Sequence, residues 1–325
     1  MLKRILCAAI LAHASVGIWA AAGKADSYPT RPIRIIVGFT PGGSDDYVAR
    51  VVGAKLTERF GQPVIVDNRP GTGGNLGAEL LARATPDGYT LSSVGSITVA
   101  SGPSLYRNVG YDPLKDFSYV AVVAVGANVL VAHPSVPVKS VAELVTLARS
   151  KPKGISYATP GVASLGHLTL ELLQSITGTQ LLHVPYKGAP LAITAAAAGE
   201  VQIAMAAITG ALPLIQAKRV NAVAISSATR NSALPAVPTV ADSGFPGFHV
   251  VNNHGMVAPA GTPQAIVKLL SAEIRNIVQM DDVRMKFPAL GLEASASTPE
   301  EFTSIVQSEL KRWTRVIQDA QIAAN

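Results

Sequence analysis

Short runs of β-branched and aliphatic residues alternate with helix-patterned segments along most of the 325-residue chain. Ile33, Arg34, Ile35, Ile36 and Val37 form the first run, and others lie at 64–66, 90–93, 120–125, 129–132, 155–157, 181–184, 203–205 and 220–225. Runs this short, bounded by glycine and proline, predict strands. The segments between them carry helix punctuation. Ser140 with Glu143 makes a capping box ahead of Leu144 and Leu147, and Thr262–Pro263 and Thr298–Pro299 each set a cap before a proline. Gly61, Gly178 and Gly199 stand where helices should stop, and Ala195–Ala198 reads as plain helix. The alternation predicts an α/β fold with largely parallel sheets.

Ligands of open α/β sheets bind beyond the carboxyl ends of strands, at helix N-termini. Residues 29–46, PTRPIRIIVGFTPGGSDD, have that form: a strand, a breaker at Pro41, Gly42 and Gly43, and a helix opening at Ser44 with Asp45 and Asp46 in its first turn. Bare backbone N–H groups in such a turn suit an anion. A simple strand-to-helix link is the plainer reading of one PGG. A second loop of this kind, ATPGVASLG, follows the strand at 155–157 and leads into a helix near His167, and a third, Pro185–Gly188, follows His183 and Val184. Two anion-ready loops so far apart in sequence point to two lobes facing one cleft.

Composition removes several other classes. The net charge of +6 includes Lys3 and Arg4, and the remaining cations are scattered with few aromatics between them, so nucleic acid is not an expected partner. Lys3 and Arg4 precede an apolar stretch from Ile5 to Trp19, and Ala20–Ala22 supply small residues for cleavage. Residues 1–22 therefore read as a secretory signal peptide, which predicts an exported protein. The roughly 300 residues left are enough for two domains, and no later apolar run is long enough for a membrane span. Cys7 is the only cysteine, so cleavage would leave no disulfide. GTGGNLG, at 71–77, has its third glycine one position late for a dinucleotide fingerprint and reads as a helix-opening loop. Ser150–Lys153 fits S-x-x-K only in a proline-lysine turn, G-x-S-x-G is absent, and the histidines are dispersed. No catalytic residue, metal or cofactor is expected.

The segments YPTRPIRIIVGFTPGGSDDYVAR, GQPVIVDNRPGTGGNLGAELLARATPDGYTL, LYRNVGYDPLKDF, ATPGVASLGHLTLELL, LLHVPYKGAP and ALPAVPTVADSGFPGF carry a family resemblance. With VAPAGTPQAIVKLL and STPEEFTSIVQSELKRW, they resemble in order and spacing the periplasmic solute-binding receptors of tripartite tricarboxylate transporters, the Bug family. The resemblance implies a two-lobed Venus-flytrap fold, each lobe a mostly parallel sheet flanked by helices. Residues 26–126 and 251–325 would form lobe one and residues 127–250 lobe two. It also implies a monomer that captures a small carboxylate between the lobes and delivers it to a membrane partner of one large and one small subunit. A sensor protein as recipient, or a secreted carboxylate-processing enzyme using His167 or His254 as base, remain the alternatives.

The resemblance further implies a set of ligand-binding residues. These are Phe39, Gly42, Gly43, Ser44 and Asp46 on the first lobe, Gly95, Ser96 and Thr98 on a further loop, and Ser164 and His167 on the second lobe. Asp46 would repel an anion and is better read as an organiser of its loop or a partner for a ligand amine or hydroxyl; a core histidine is the plainer alternative for His167, but the match to the family's S-x-x-H pattern favours cleft lining. The chain departs from the family at two places. Met205, Ala206 and Ala207 replace a stretch where relatives commonly carry an acid, and Val251–Met256 stands where many have a tryptophan followed by another aromatic. Ala206 and Asn253 are expected to open and polarise that wall of the pocket.

Overall fold

The computed structural model describes residues 28–162, 164–319 and 322. The predicted signal peptide, residues 1–22, lies outside the described residues. The chain begins with β1 (Ile33–Val37), α1 (Ser44–Phe60), β2 (Val64–Asn68), α2 (Asn75–Ala82), β3 (Thr90–Gly95) and α3 (Ser96–Leu105). A long strand β4 (Phe117–Ala132) follows, then α4 (Val141–Ser150), β5 (Ser156–Thr159), α5 (Leu165–Thr177), β6 (Leu182–Pro185) and α6 (Ala189–Ala198). The remainder is β7 (Ile203–Ala207), α7 (Ile208–Gln216), β8 (Asn221–Ile225), β9 (Val251–Pro259), α8 (Gln264–Gln279), α9 (Asp281–Arg284), β10 (Leu292–Ala294) and α10 (Pro299–Asp319).

These strands make two sheets joined through β4. In the first, β1 lies between β2 and β3 in parallel, β9 pairs antiparallel with β3 and β4, and β10 closes on β4. In the second, β5 pairs in parallel with β6 and β7, while β7 and β8 run antiparallel to the far end of β4. Both sheets are therefore mixed, parallel toward their outer edges and antiparallel around β4. The changeover falls within one strand: residues 117–127 pair with β9, and Asn128–Ala132 pair with β7.

The sequence predicts two strands where β4 is one, because Gly126-Ala127-Asn128 reads as a break. The structure gives Gly126 another reason. A Cβ there would lie 2.9 Å from His254 Nε2 and 2.8 Å from Leu292, so the strand needs a glycine to let β9 and β10 approach.

Period-two alternation builds the core of the second sheet. Leu130, Ala132, Ile203, Met205 and Tyr157 face one helical layer, whereas Val129, Val131, Ala204, Ala206 and Ala158 face the other. In the first sheet Ile33, Ile35 and Val37 pack with Val48, Val52 and Leu56 of α1 and with Leu270 and Ile274 of α8. Each fully buried aliphatic side chain contributes about 1.5–3 kcal/mol. Helix α10 spans both regions: Phe302 and Val306 pack near Tyr119 and Val257, and Trp313 and Ile317 pack near Leu130 and Leu168.

Helix ends follow the predicted punctuation except at Thr262 and, in part, at Ser140, whose hydroxyl caps Glu143 N at 3.2 Å while Glu143 Oε2 accepts from Lys139 N, not Ser140 N. Gly61, Gly178 and Gly199 end α1, α5 and α6 at φ values of 66°, 65° and 77°. Thr298 Oγ1 accepts from Glu301 N at 3.2 Å while Glu301 Oε2 accepts from Thr298 N at 2.8 Å, a complete capping box. The Thr262 hydroxyl donates to Pro259 O at 2.7 Å and caps nothing, and α8 starts after Pro263.

Candidate functional site

Among the described residues, the first turns of five helices line one cavity between the two sheets. Gly43, Ser44 and Asp45 come from α1, Thr98 from α3, Ser164, Leu165 and Gly166 from α5, Ala189 from α6, and the residue before α7, Ala207. Four of these helices, α1, α3, α6 and α7, have no cap from the side chain at the cap position, which Gly43, Gly95, Gly188 and Ala207 hold, although in α3 the Asn252 side chain takes the Ile97 N–H. Their orphan N–H groups and aligned peptide dipoles therefore favour a negative charge in the cavity. Neither lysine nor arginine lines it. Its volume is about 60 Å³, space for a few ordered waters or a ligand that displaces them.

The side chains that reach this space are polar and buried. His254 Nδ1 lies 2.6 Å from Asp45 Oδ1, and each residue is only 5% exposed. Asn128, 3% exposed, lines the cavity, and its Nδ2 is the one buried side-chain nitrogen or oxygen among the described residues with no hydrogen-bond partner. A buried amide donor without an acceptor costs about 1–3 kcal/mol, which a ligand oxygen would recover. Asn252 Oδ1 accepts from Ile97 N at 3.3 Å and so fixes the start of α3.

The two sheets' loops also touch directly. Ser44 Oγ lies 3.1 Å from Thr209 Oγ1, and Thr40 Oγ1 donates to Lys187 O at 3.1 Å. Beside this seam lies a second cavity of about 290 Å³, sharing Phe39 and Pro160 with the first and bounded by Thr72–Gly74, Gly161, Val162, Tyr186 and Lys187.

Of the residues singled out in the sequence, Phe39, Gly43, Ser44, Thr98 and Ser164 line the first cavity. The others lie around it. Gly42, at φ +89°, donates its N–H to Asp46 Oδ2 at 3.0 Å. Asp46 also accepts from Arg50 at 2.9 and 3.0 Å and from Asn68 Nδ2 at 3.0 Å. Burial raises its pKa, but the hydrogen bonds from Arg50, Gly42 and Asn68 outweigh that and hold it below the usual carboxylate value. Gly95 packs against the Asn252 side chain, and Ser96 Oγ accepts from Asn253 N and Nδ2, both at 3.3 Å. Ala206 is buried in the second sheet's helical interface. His167 is buried and stacked on His183 with ring centroids 4.0 Å apart. Its pKa is pushed down to about 3, first by burial and then by the neighbouring His183.

Asp45, Asn128, Ala207, Asn252 and His254 join the cavity without having been placed in the predicted set. Two of the differences are matters of strand parity. Asn252 and His254 share the cavity side of β9 while Asn253 turns to Ser96, and Ala207 lines the cavity where Ala206 packs behind it. Asn128 carries no sequence signal, since its meaning depends on the absence of a partner in the folded chain.

Comparison with known proteins places this architecture. Residues 48–322 match the family model for the tripartite tricarboxylate transporter family receptor. The chain is 35% identical to protein BugT of Bordetella pertussis over 319 residues, covering 98% of each. It superposes with a TM-score of 0.87 on Rpa4515 of R. palustris with adipate, at 34% identity over 91% of this chain and 100% of that one. With MatC of Rhodopseudomonas palustris with bound malate the TM-score is 0.84, at 31% identity over 89% of this chain and 100% of that one. Among the described residues no helix is long and apolar enough to cross a membrane, and no cluster of three or more His, Cys, Asp or Glu could hold a metal. A two-sheet α/β architecture with helix N-termini gathered around an interior cavity, matched along nearly its full length by these relatives, makes the chain a member of the Bug family of periplasmic solute-binding receptors of tripartite tricarboxylate transporters.

Proposed function

We propose that the protein captures a small carboxylate in the cavity between its sheets and delivers it to a transporter of one large and one small membrane subunit. Lobe one comprises residues 26–126 and 251–325, lobe two residues 127–250, and the lobes meet where β4 changes pairing partners and β9 begins. The protein works as a monomer in the periplasm after removal of residues 1–22.

The observation that carries this reading is the unpartnered Asn128 Nδ2 beside four helix starts without side-chain caps. Such a site lacks an anionic acceptor more than anything else. The solved relatives with adipate and malate give carboxylates as the first ligands to try. A thermal-shift screen of mono-, di- and tricarboxylates against their uncharged amides tests it, since a ligand of the folded state raises stability by RT ln(1 + [L]/Kd). Stabilisation by acids and not amides is expected. Equal response to both would remove the anion site from the proposal.

One observation favours a second reading. A histidine whose Nδ1 bonds a buried carboxylate has the form of a general base with its orienting acid. Recovery of the bound acid unchanged after prolonged incubation with the protein would exclude an enzyme; conversion to a new product would establish one.

A further inference from the structure

Asp45 makes one side-chain hydrogen bond, through Oδ1 to His254, and among the described residues none involves its Oδ2. It lines the cavity as a carboxylate, and an ionised carboxylate has about four acceptor positions to fill. Asn128, on the other side of the same cavity, has the complementary deficit, a donor without an acceptor. The two belong to different sheets: Asp45 sits in the first turn of α1 against the first sheet, and Asn128 begins the stretch of β4 that pairs with β7.

We infer that the site selects a carboxylate bearing a hydrogen-bond donor, a hydroxyl or an ammonium, on the carbon next to the acid group. This rests on the carboxylate reading above and narrows it. The acid group satisfies the helix N-termini and Asn128 Nδ2, and the donor satisfies Asp45 Oδ2. Asp45 lies two residues after Gly43 in the first turn of α1, and Gly43, Ser44 and Asp45 all line the cavity, so the acceptor and the orphan N–H groups of that turn share one side of it. A substituent next to the carboxylate stays on that side, whereas one at the far end of a longer acid would not. An unsubstituted acid offers Oδ2 no donor of its own, and a second carboxylate placed there would meet a like charge. A ligand with both groups adds a contact on the first-sheet side, at Asp45, to those its acid group makes.

Succinate, malate and aspartate share a skeleton and differ at C2 in hydrogen, hydroxyl and ammonium; propionate, lactate and alanine repeat the series without the distal acid. Calorimetry with the full mature protein is expected to show malate or aspartate binding at least tenfold more tightly than succinate, with the same order in the shorter series. The tighter of the two distinguishes hydroxyl from ammonium as the group read. Asp45→Ala should bring the three diacids within threefold of one another, and the isosteric Asp45→Asn should weaken aspartate more than malate. Succinate binding as tightly as both substituted acids would overturn the inference and leave the carboxylate reading standing. An unchanged ranking in Asp45→Asn and Asp45→Ala would overturn it as well. No binding of any acid in either series to folded protein would overturn the inference, and failure of adipate and the tricarboxylates as well would overturn the carboxylate reading with it.

Discussion

Gly73 and Val162, on loops from the two different sheets, approach so closely that a Cβ at position 73 would fall inside the van der Waals envelope of the Val162 carbonyl oxygen. Gly73 also holds φ at +62°, so its substitution combines backbone strain with a steric block on the seam. Gly61 separates the two effects, because it has φ +66° but open space around its Cβ position. Gly73→Ala is expected to weaken carboxylate binding at least tenfold and to hold the ligand-saturated protein at a larger radius of gyration in solution scattering. Gly61→Ala should leave affinity unchanged while lowering stability by about 1 kcal/mol. Equal affinity losses in the two variants would show that contact between these loops has no part in binding.

A second glycine gives the reverse test. Gly43 has extended backbone at φ −86°, and its Cβ position has no neighbour nearer than Thr40 O at 3.9 Å. The fold therefore tolerates a side chain there. Gly43→Val should melt within a degree or two of the parent yet bind carboxylate at least tenfold more weakly, because the added methyls occupy space before the α1 amides. Unchanged affinity by calorimetry would move the ligand away from the first turn of α1.

Much of this architecture is legible in the sequence because local chemistry determines it. Ile33–Val37 is buried at every position but Arg34 and runs into a proline-glycine break, so its strand and the following helix start are readable without tertiary knowledge. The Thr298 capping box and Gly178 are equally local. β9 is harder, because Asn252, Asn253 and His254 interrupt its apolar pattern for reasons visible only in space. Asn252 holds Ile97 N, His254 meets Asp45 across 209 residues of chain, and Asn253 faces the other way toward Ser96. The site segment is recognisable, but which of three consecutive polar residues enters the cavity is decided by strand register.

Asn128 offers a test in which stability and binding move oppositely. Its Nδ2 is buried without an acceptor, so the ligand-free protein bears a penalty that truncation relieves. Asn128→Ala is expected to melt at or slightly above the parent temperature without ligand, and to lose most of the carboxylate-induced shift. Its backbone bonds to Ser226 are retained: Asn128 N donates to Ser226 Oγ at 2.9 Å, and Asn128 O accepts from Ser226 N at 2.9 Å. A ligand-free variant destabilised by more than about 2 kcal/mol would mean that the side chain's role is structural packing instead.

Helix α10 gives a prediction about stability alone. Trp313 is fully buried, and its indole N–H donates to Glu309 one turn earlier. It packs with Leu130, Tyr157 and Leu168, far from the Phe302 end of the same helix. Trp313→Ala should destabilise by about 3–5 kcal/mol through the cavity left behind. Urea unfolding followed at both a lobe-one and a lobe-two reporter is expected to show the loss mainly in the second region. Identical losses at both reporters would mean that the two sheets unfold as one cooperative unit.

Acid should unfold the second sheet through its stacked histidines. Burial and the neighbouring His183 push His167 down to about 3, and burial pushes His183 down to about 4. The groups facing them do not reverse this. Glu171 Oε1 is 3.6 Å from His167 Nε2 but also accepts from Tyr157 Oη at 2.6 Å and Gln174 Nε2 at 2.9 Å, while His183 Nε2 meets Thr159 Oγ1 at 2.7 Å. An unfolded histidine titrates near ~6.5, so below that pH the unfolded chain takes up protons that the folded chain refuses. The stability these residues confer is therefore complete above pH ~6.5 and falls as pH drops toward their folded values, approaching about 1.4 kcal/mol per pH unit for each histidine. Denaturant melts of the ligand-free protein from pH 7.5 to 4.5 should show that decline. His183→Phe, which keeps an aromatic ring against His167, is expected to reduce the slope by up to half; a slope identical to the parent's would mean that carboxylates elsewhere, and not this pair, govern acid unfolding.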